Sequence, residues 1–217
     1  MATNLKNKMI DLEYRILFVC MGNICRSPTA EAVFYKRLMD RKLLHKVKID
    51  SAGTHNFHPD KPPDERSQAH ALKRGYDLSH LRARPVVDSD FEQFDLLLTM
   101  DWDNRALLEE RCPAQHLHKI RGLAEFLQTS QAPVIPDPYY GGYQGFEHVL
   151  DLIEEASEGL MKFVLGLWHG QQACPLSRGK NGTAGHRFPF LKMEVFLINL
   201  TPSPMWRAKS RHVHSHK

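Results

Sequence analysis

Two periods of hydrophobicity alternate along the chain. Short apolar runs at 14–19, 47–49, 96–99 and 118–120 have the β-branched and aromatic content of strands buried on both faces, as in a parallel sheet. Between and after them, apolar residues recur near helical spacing over 28–41, 64–74, 102–111 and 145–167. The punctuation agrees: Asp101 stands where an N-cap is needed, Gly75 where a helix stops, and Pro28 in a first helical turn. Strands alternating with helices predict a doubly wound parallel α/β sheet, with its ligand site beyond the C-terminal strand ends.

At 217 residues, 42% hydrophobic and 25% charged, the chain suits one domain with extensions. We expect an N-terminal extension over 1–13, a domain over 14–170 and an irregular C-terminal tail over 171–217. The net charge of +4 belongs to that tail: from Gln171 onward eight Lys and Arg face one acidic residue, against 21 and 24 in the remainder. The tail has no clear period, which predicts a disordered basic appendage, and no aromatic or amphipathic arrangement in it suggests nucleic-acid binding. Its terminal histidines have no Cys or carboxylate partners, so neither a metal nor another cofactor is expected. The apolar runs are strand-sized, which predicts no membrane span. Four scattered cysteines without a leader segment point to a reducing cytoplasm. His55, His58 and His70 read as surface or loop histidines by default.

The end of the first strand carries the densest chemistry. Cys20 and Arg26 bracket Met21, Gly22, Asn23, Ile24 and Cys25, and Ser27 and Pro28 follow at the start of a helix. A helix N-terminus offers unpaired N–H groups and the positive end of the helix dipole, so a strand-loop-helix turn there favours an anion such as phosphate. The same field acts on the Cys20 thiol, which would otherwise titrate near pH 8.5 and can fall to roughly 3.5–7.5 beside a helix N-terminus and a cation. Arg26 supplies a planar fork able to grip two phosphoryl oxygens, and the Ser27 hydroxyl could stabilise the thiolate as attacker and leaving group. Expelling an alkoxide or phenolate also needs a proton donor. Asp137, before Pro138 and two tyrosines, is the candidate; near a phosphate dianion and apolar rings its pKa can rise toward the working range.

The run from Cys20 to Pro28 resembles the phosphate loop of the low-molecular-weight protein-tyrosine phosphatases, of bacterial type, and Asp137-Pro138-Tyr139-Tyr140 resembles their general-acid loop. The resemblance extends from about Tyr14 to Trp168 through Asp50-Ser51, Ser79-His80, Asp90-Phe91, Phe94-Asp95 and Thr99-Met100-Asp101. It implies four strands in the order 2-1-3-4. It also implies that Cys20 forms a phosphocysteine, Arg26 clamps substrate and transition state, and Asp137 protonates the leaving group and then activates water. Asn23, Ser51 and His80 fall on positions that brace the loop by hydrogen bonds. Phe57, Tyr139 and Tyr140 fall on the substrate pocket, where two rings can sandwich a phenyl phosphate. Ile24 stands where protein-arginine phosphatases of this family carry Thr, and its methyl groups favour an aromatic substrate. Phosphotyrosine proteins are the expected substrates, with a bacterial tyrosine kinase as a further partner that the resemblance suggests.

Two other functions fit parts of the pattern. A thioredoxin-coupled arsenate reductase shares the fold and the Cys-x5-Arg loop but needs two nearby resolving cysteines; here Cys112 and Cys174 stand 62 residues apart. A non-catalytic phosphotyrosine-binding regulator would need only the pocket, and retention of Cys20 and Asp137 argues against it. Cys25 raises a redox possibility: its thiol could trap an oxidised Cys20 as a disulfide.

Overall fold

The computed structural model describes residues 13–139 and 141–172. The expected strands and helices form in order. β1 (Tyr14–Cys20) leads through the loop 21–25 into α1 (Arg26–Asp40), followed by β2 (Val47–Gly53) and α2 (Glu65–Lys73). The chain continues with α3 (Asp88–Gln93), β3 (Leu96–Thr99), α4 (Trp102–Arg111), β4 (Ile120–Gly122) and α5 (Gly142–Gln172). The four strands are parallel in the order β2-β1-β3-β4, as the resemblance implied.

Because side chains alternate across a strand, β1 serves two cores. Ile16, Phe18 and Cys20 face the layer built by α1 and α5, which contribute Val33, Phe34 and Leu38, and Leu150, Ile153 and Leu160. Leu17 and Val19 face Phe91 and Phe94 at α3 and Leu108 and Cys112 at α4. Phe18 and Phe34 are fully buried and meet edge to face at 6.0 Å, and burying side chains of this size stabilises by about 1.5–3 kcal/mol each. Apolar residues on both faces explain why the strands read as continuous hydrophobic runs rather than as alternating ones.

Two expectations need correction. α3 is absent from the sequence reading; at six residues it is too short to display a helical period, and it is held by Asp90, whose carboxylate accepts from Val87 N–H at 2.9 Å. The fourth strand lies two residues later than expected, because residues 114–119 form a 3-10 turn that takes up His118 and Lys119. Asp101 does cap α4, accepting from Asn104 N–H at 2.8 Å, and Gly75 ends α2 with φ +82°. The N-terminal residues 1–12, Tyr140 and residues 173–217, including Cys174 and almost all of the expected tail, lie outside the described residues.

β1 is the switch point of the sheet: the chain leaves it to one side for β2 and returns to the other for β3 and β4. The loop 21–25 therefore opens at the C-terminal edge of the sheet, where adjacent connections diverge and leave a crevice.

Candidate active site

Cys20 is the last residue of β1 and is 3% exposed, and Arg26, the first residue of α1, is 2% exposed. Cys25 is the N-cap and supplies no side-chain hydrogen bond to the helix. Among the described residues, no backbone N–H from Met21 to Ser27 is paired with a protein acceptor. These donors and the α1 dipole create an anion site beside the Cys20 sulfur.

The loop is held by side chains. Asn23 has φ +55°, a left-handed conformation that costs a non-glycine residue energy unless its surroundings fix it. They do: Asn23 Nδ2 donates to Ser27 Oγ and to Ser51 Oγ, each at 2.9 Å, and its Oδ1 accepts from Arg84 N–H at 2.9 Å. Ser27 Oγ in turn lies 3.1 Å from Cys20 Sγ. Close approach of β2 completes the arrangement. A Cβ on Gly53 would stand 2.8 Å from Met21 O and 2.9 Å from His55 O, so only glycine lets the end of β2 pass beneath the loop.

Arg26 is gripped from several sides. Nη1 donates to Asp101 Oδ2 at 2.5 Å and to Ile135 O at 3.2 Å, and Nη2 donates to Asp137 Oδ2 at 3.3 Å. Residue 137 thus reaches the guanidinium although 111 positions separate them. Cys20, Arg26 and Asp137 line one cavity of about 270 Å³, together with Met21, Gly22, Ile24, Cys25, Phe57, His58 and Tyr139. Phe57 and Tyr139 are 60% and 43% exposed and stand at its rim, while Cys20 forms its buried floor. A flat ring can enter between them with its phosphoryl end toward the sulfur.

The sequence profile of the family described as low molecular weight phosphotyrosine protein phosphatase matches residues 15–166. The low molecular weight protein-tyrosine-phosphatase of Streptomyces coelicolor is 40% identical over 165 residues, covering 75% of this chain and 100% of the relative. The chain belongs to this family. With it comes the protein-tyrosine-phosphatase class of enzymes. The human low molecular weight phosphotyrosine protein phosphatase is 40% identical over 140 residues, covering 62% of this chain and 85% of the relative. A crystal structure of a protein tyrosine phosphatase from Entamoeba histolytica superposes with a TM-score of 0.69 at 43% identity, covering 73% of this chain and 99% of that one.

Of the described residues placed by resemblance to this phosphatase family, all but His80 meet at the cavity or directly beneath it. His80 is exposed and lines a different cavity with Glu31, Tyr35 and Tyr76, while Asn23 Oδ1 accepts from Arg84 N–H. His58 lies in a loop as expected, and its ring covers the phosphate loop, 3.2 Å from where a Cβ on Gly22 would sit; His70 differs from expectation. His70 is buried, bonded through Nδ1 to Glu147 Oε1 at 2.5 Å and stacked on Phe146. Cys112 lies in the core on the opposite face of the sheet from Cys20.

Several contributors carried no sequence signal of the part they play at the site. Asp101 was readable as a helix cap, but its second oxygen holds Arg26. Arg66 of α2 ties two loops together. Its Nη1 donates to Tyr139 O at 3.0 Å and its guanidinium lies 4.8 Å from the ring centres of both Tyr139 and Phe146. Neighbouring Asp64 donates its N–H to Ile24 O at 2.8 Å and binds Arg66 Nη2 at 2.8 Å. The phosphate loop and the loop of Asp137 are therefore joined through α2. Burial pushes the Cys25 thiol up to about 12, with Asp64, Cys20 and Asp137 adding to it and Ser67 opposing.

Proposed function

We propose that the protein hydrolyses phosphotyrosine in proteins through a cysteinyl-phosphate. The observation that carries this reading is the convergence of Cys20, Arg26 and Asp137 on one cavity whose rim bears Phe57 and Tyr139. In the first step the Cys20 thiolate attacks phosphorus, the phosphorus–oxygen ester bond breaks, and Asp137 gives its proton to the departing phenolate. In the second, Asp137 takes a proton from water as the water attacks phosphorus; the sulfur–phosphorus bond breaks and inorganic phosphate leaves. Arg26 and the loop N–H groups meet the charge on the equatorial oxygens throughout. Ser27 Oγ, 3.1 Å from the sulfur, stabilises the thiolate on which both steps depend.

Cavity depth sets the substrate. Cys20 lies at the floor beneath aromatic rims, so a phenyl phosphate reaches the sulfur while the shorter phosphoserine and phosphothreonine stop above it. Ile24 on the wall presents hydrocarbon to the ring. We further infer a reducing, cytoplasmic setting, which suits a thiolate nucleophile; among the described residues no helix is long and apolar enough to cross a membrane. Phosphotyrosine proteins, a bacterial tyrosine kinase among them, fit this pocket chemistry. The catalytic unit is proposed to be residues 14–170, with 171–217 as an appendage.

The test is release of phosphate from a phosphotyrosine peptide, and of p-nitrophenol from p-nitrophenyl phosphate, in the presence of a chelator. Cys20→Ser should abolish both, and Asp137→Ala should slow turnover by roughly 10²- to 10⁴-fold with little change in substrate binding. Full activity of Cys20→Ser would refute the mechanism. Turnover of phosphoarginine in preference to phosphotyrosine would refute the substrate.

A further inference from the structure

Beneath the phosphate loop, Glu31 of α1 ends a chain of hydrogen bonds that leads to the sulfur. Its Oε2 accepts from Ser51 Oγ at 2.6 Å. A hydroxyl has one proton, so Ser51 Oγ can meet Asn23 Nδ2 at 2.9 Å only as an acceptor. The other Nδ2 hydrogen goes to Ser27 Oγ at 2.9 Å, and Arg84 N–H on Oδ1 prevents the Asn23 amide from turning over. Ser27 Oγ, having accepted, directs its own proton to Cys20 Sγ at 3.1 Å, with Ala52 O at 3.3 Å as the alternative. The carboxylate fixes the Ser51 proton and Arg84 N–H fixes the amide, so Glu31 reaches Ser27 by holding Ser51 as the acceptor that keeps Asn23 in place. Were Glu31 protonated, Ser51 would lose a charge-assisted hydrogen bond, and the anchor that helps hold Asn23 at φ +55° would loosen.

We propose that Glu31 is a positioning residue for phosphoryl transfer, its carboxylate orienting Ser51 and, through Asn23, the Ser27 hydroxyl that donates to the Cys20 thiolate. The proposal rests on the cysteinyl-phosphate reading and adds to it a residue that touches neither substrate nor sulfur. The surroundings of Glu31 make the device responsive to pH. Burial dominates and pushes its carboxyl up to about 7; Asp50 on β2 adds to the rise, while the Ser51 hydrogen bond and Arg84 oppose it. Tyr35 and Lys36 of the same helix, and Tyr76, Asp77 and His80 after α2, face it across the shared cavity. Support for the thiolate should thus weaken as pH falls through about 7.

The experiment compares wild type, Glu31→Gln and Glu31→Ala. It follows kcat and KM for p-nitrophenyl phosphate from pH 5 to 8, the pH dependence of iodoacetate alkylation of Cys20 read by peptide mass, and Tm. Glu31→Ala should lower kcat by roughly three- to tenfold, the size of one net hydrogen bond, with KM nearly constant. It should also move the alkylation midpoint upward. Glu31→Gln, whose amide oxygen still accepts from Ser51, should recover most of that loss and should lack the inflection near pH 7. If both variants keep the wild-type kcat and alkylation profile and only Tm falls, Glu31 is structural and the proposal is overturned. Should Glu31→Ala not fold, persistence of the inflection in Glu31→Gln overturns it equally. A wild type that alkylates in this pattern but releases no p-nitrophenol would refute the phosphatase reading and leave the role of Glu31 standing.

Discussion

Asp101 holds Arg26 by a 2.5 Å hydrogen bond to Nη1 and caps α4 with its other oxygen. One carboxylate thus fixes both the cation of the site and the helix behind it. The two tasks separate on substitution. Asn is as good an N-cap as Asp, so Asp101→Asn should leave Tm close to wild type while it removes the charge that orients the guanidinium. The affinity for inorganic phosphate should fall by roughly tenfold, as expected for a lost charge-assisted hydrogen bond of about 1.5 kcal/mol. Inhibition of p-nitrophenyl phosphate turnover by phosphate measures this, and an unchanged inhibition constant would show that Arg26 holds its place without Asp101.

Arg66 should matter through the acid loop rather than through phosphate. It donates to Tyr139 O two residues beyond Asp137 and lies over the Tyr139 ring. Loss of that clip displaces the proton donor, and a proton donor matters most when the leaving group is basic. Arg66→Ala should slow phenyl phosphate by several times more than p-nitrophenyl phosphate, roughly three- to tenfold against less than twofold. Arg66→Lys should not restore the difference, because an ammonium cannot reproduce the planar contact with the two rings. Equal losses on both substrates would assign Arg66 to general stability instead.

The contrast between Asp101 and Arg66 shows which parts of this enzyme are legible in its sequence. β1, the phosphate loop and α1 are contiguous, so Cys20, Arg26 and Ser27 could be read together from one strand-loop-helix turn. Asp101 was visible only in its local role, because an N-cap is a relationship across three residues while its contact with Arg26 spans 75. Arg84, Glu31 and Arg66 belong to bonds that close only when β2, α2 and the loop of Asp137 come together, and no spacing encodes them. His80 is the converse: its place in the sequence suggested a brace, but it is exposed at a different cavity, and Asn23 Oδ1 accepts from a backbone N–H of Arg84. α3 escaped notice for a simpler reason, since six residues complete fewer than two helical turns.

The environment of Cys25 limits its use as a redox partner. If peroxide converts Cys20 to a sulfenic acid, the Cys25 thiolate must attack that sulfur, forming the disulfide and releasing the hydroxyl oxygen as water. With its thiol pushed up to about 12, the reactive fraction at pH 7 is on the order of 10⁻⁵ and rises about tenfold per pH unit. Disulfide closure should therefore accelerate by roughly a hundredfold between pH 7 and pH 9. Cys25→Ser should then recover from peroxide less fully than wild type at pH 9 and about equally at pH 7. Mass analysis of quenched samples reads both, and closure at a constant rate across this range would contradict the inferred environment.

Glu31 should also leave a signature in stability. Its carboxyl titrates at about 7 in the folded chain against 4.5 for an ordinary glutamate, with burial as the main cause. Between those values the native state binds more protons at this residue than the unfolded state does, so stability at this site is greatest below about pH 4.5 and is lost as pH rises through about 7. Integrated over the shift, the effect is on the order of 3 kcal/mol before relaxation of the site reduces it. Glu31→Gln cannot ionise and lacks this slope. The unfolding free energy of Glu31→Gln minus that of wild type, from urea titrations at matched salt, should therefore increase from pH 5 to pH 8. A difference that stayed flat, or that fell, would mean that residue 31 sits in a wetter or more cationic environment than its contacts with Ser51, Asp50 and Arg84 indicate.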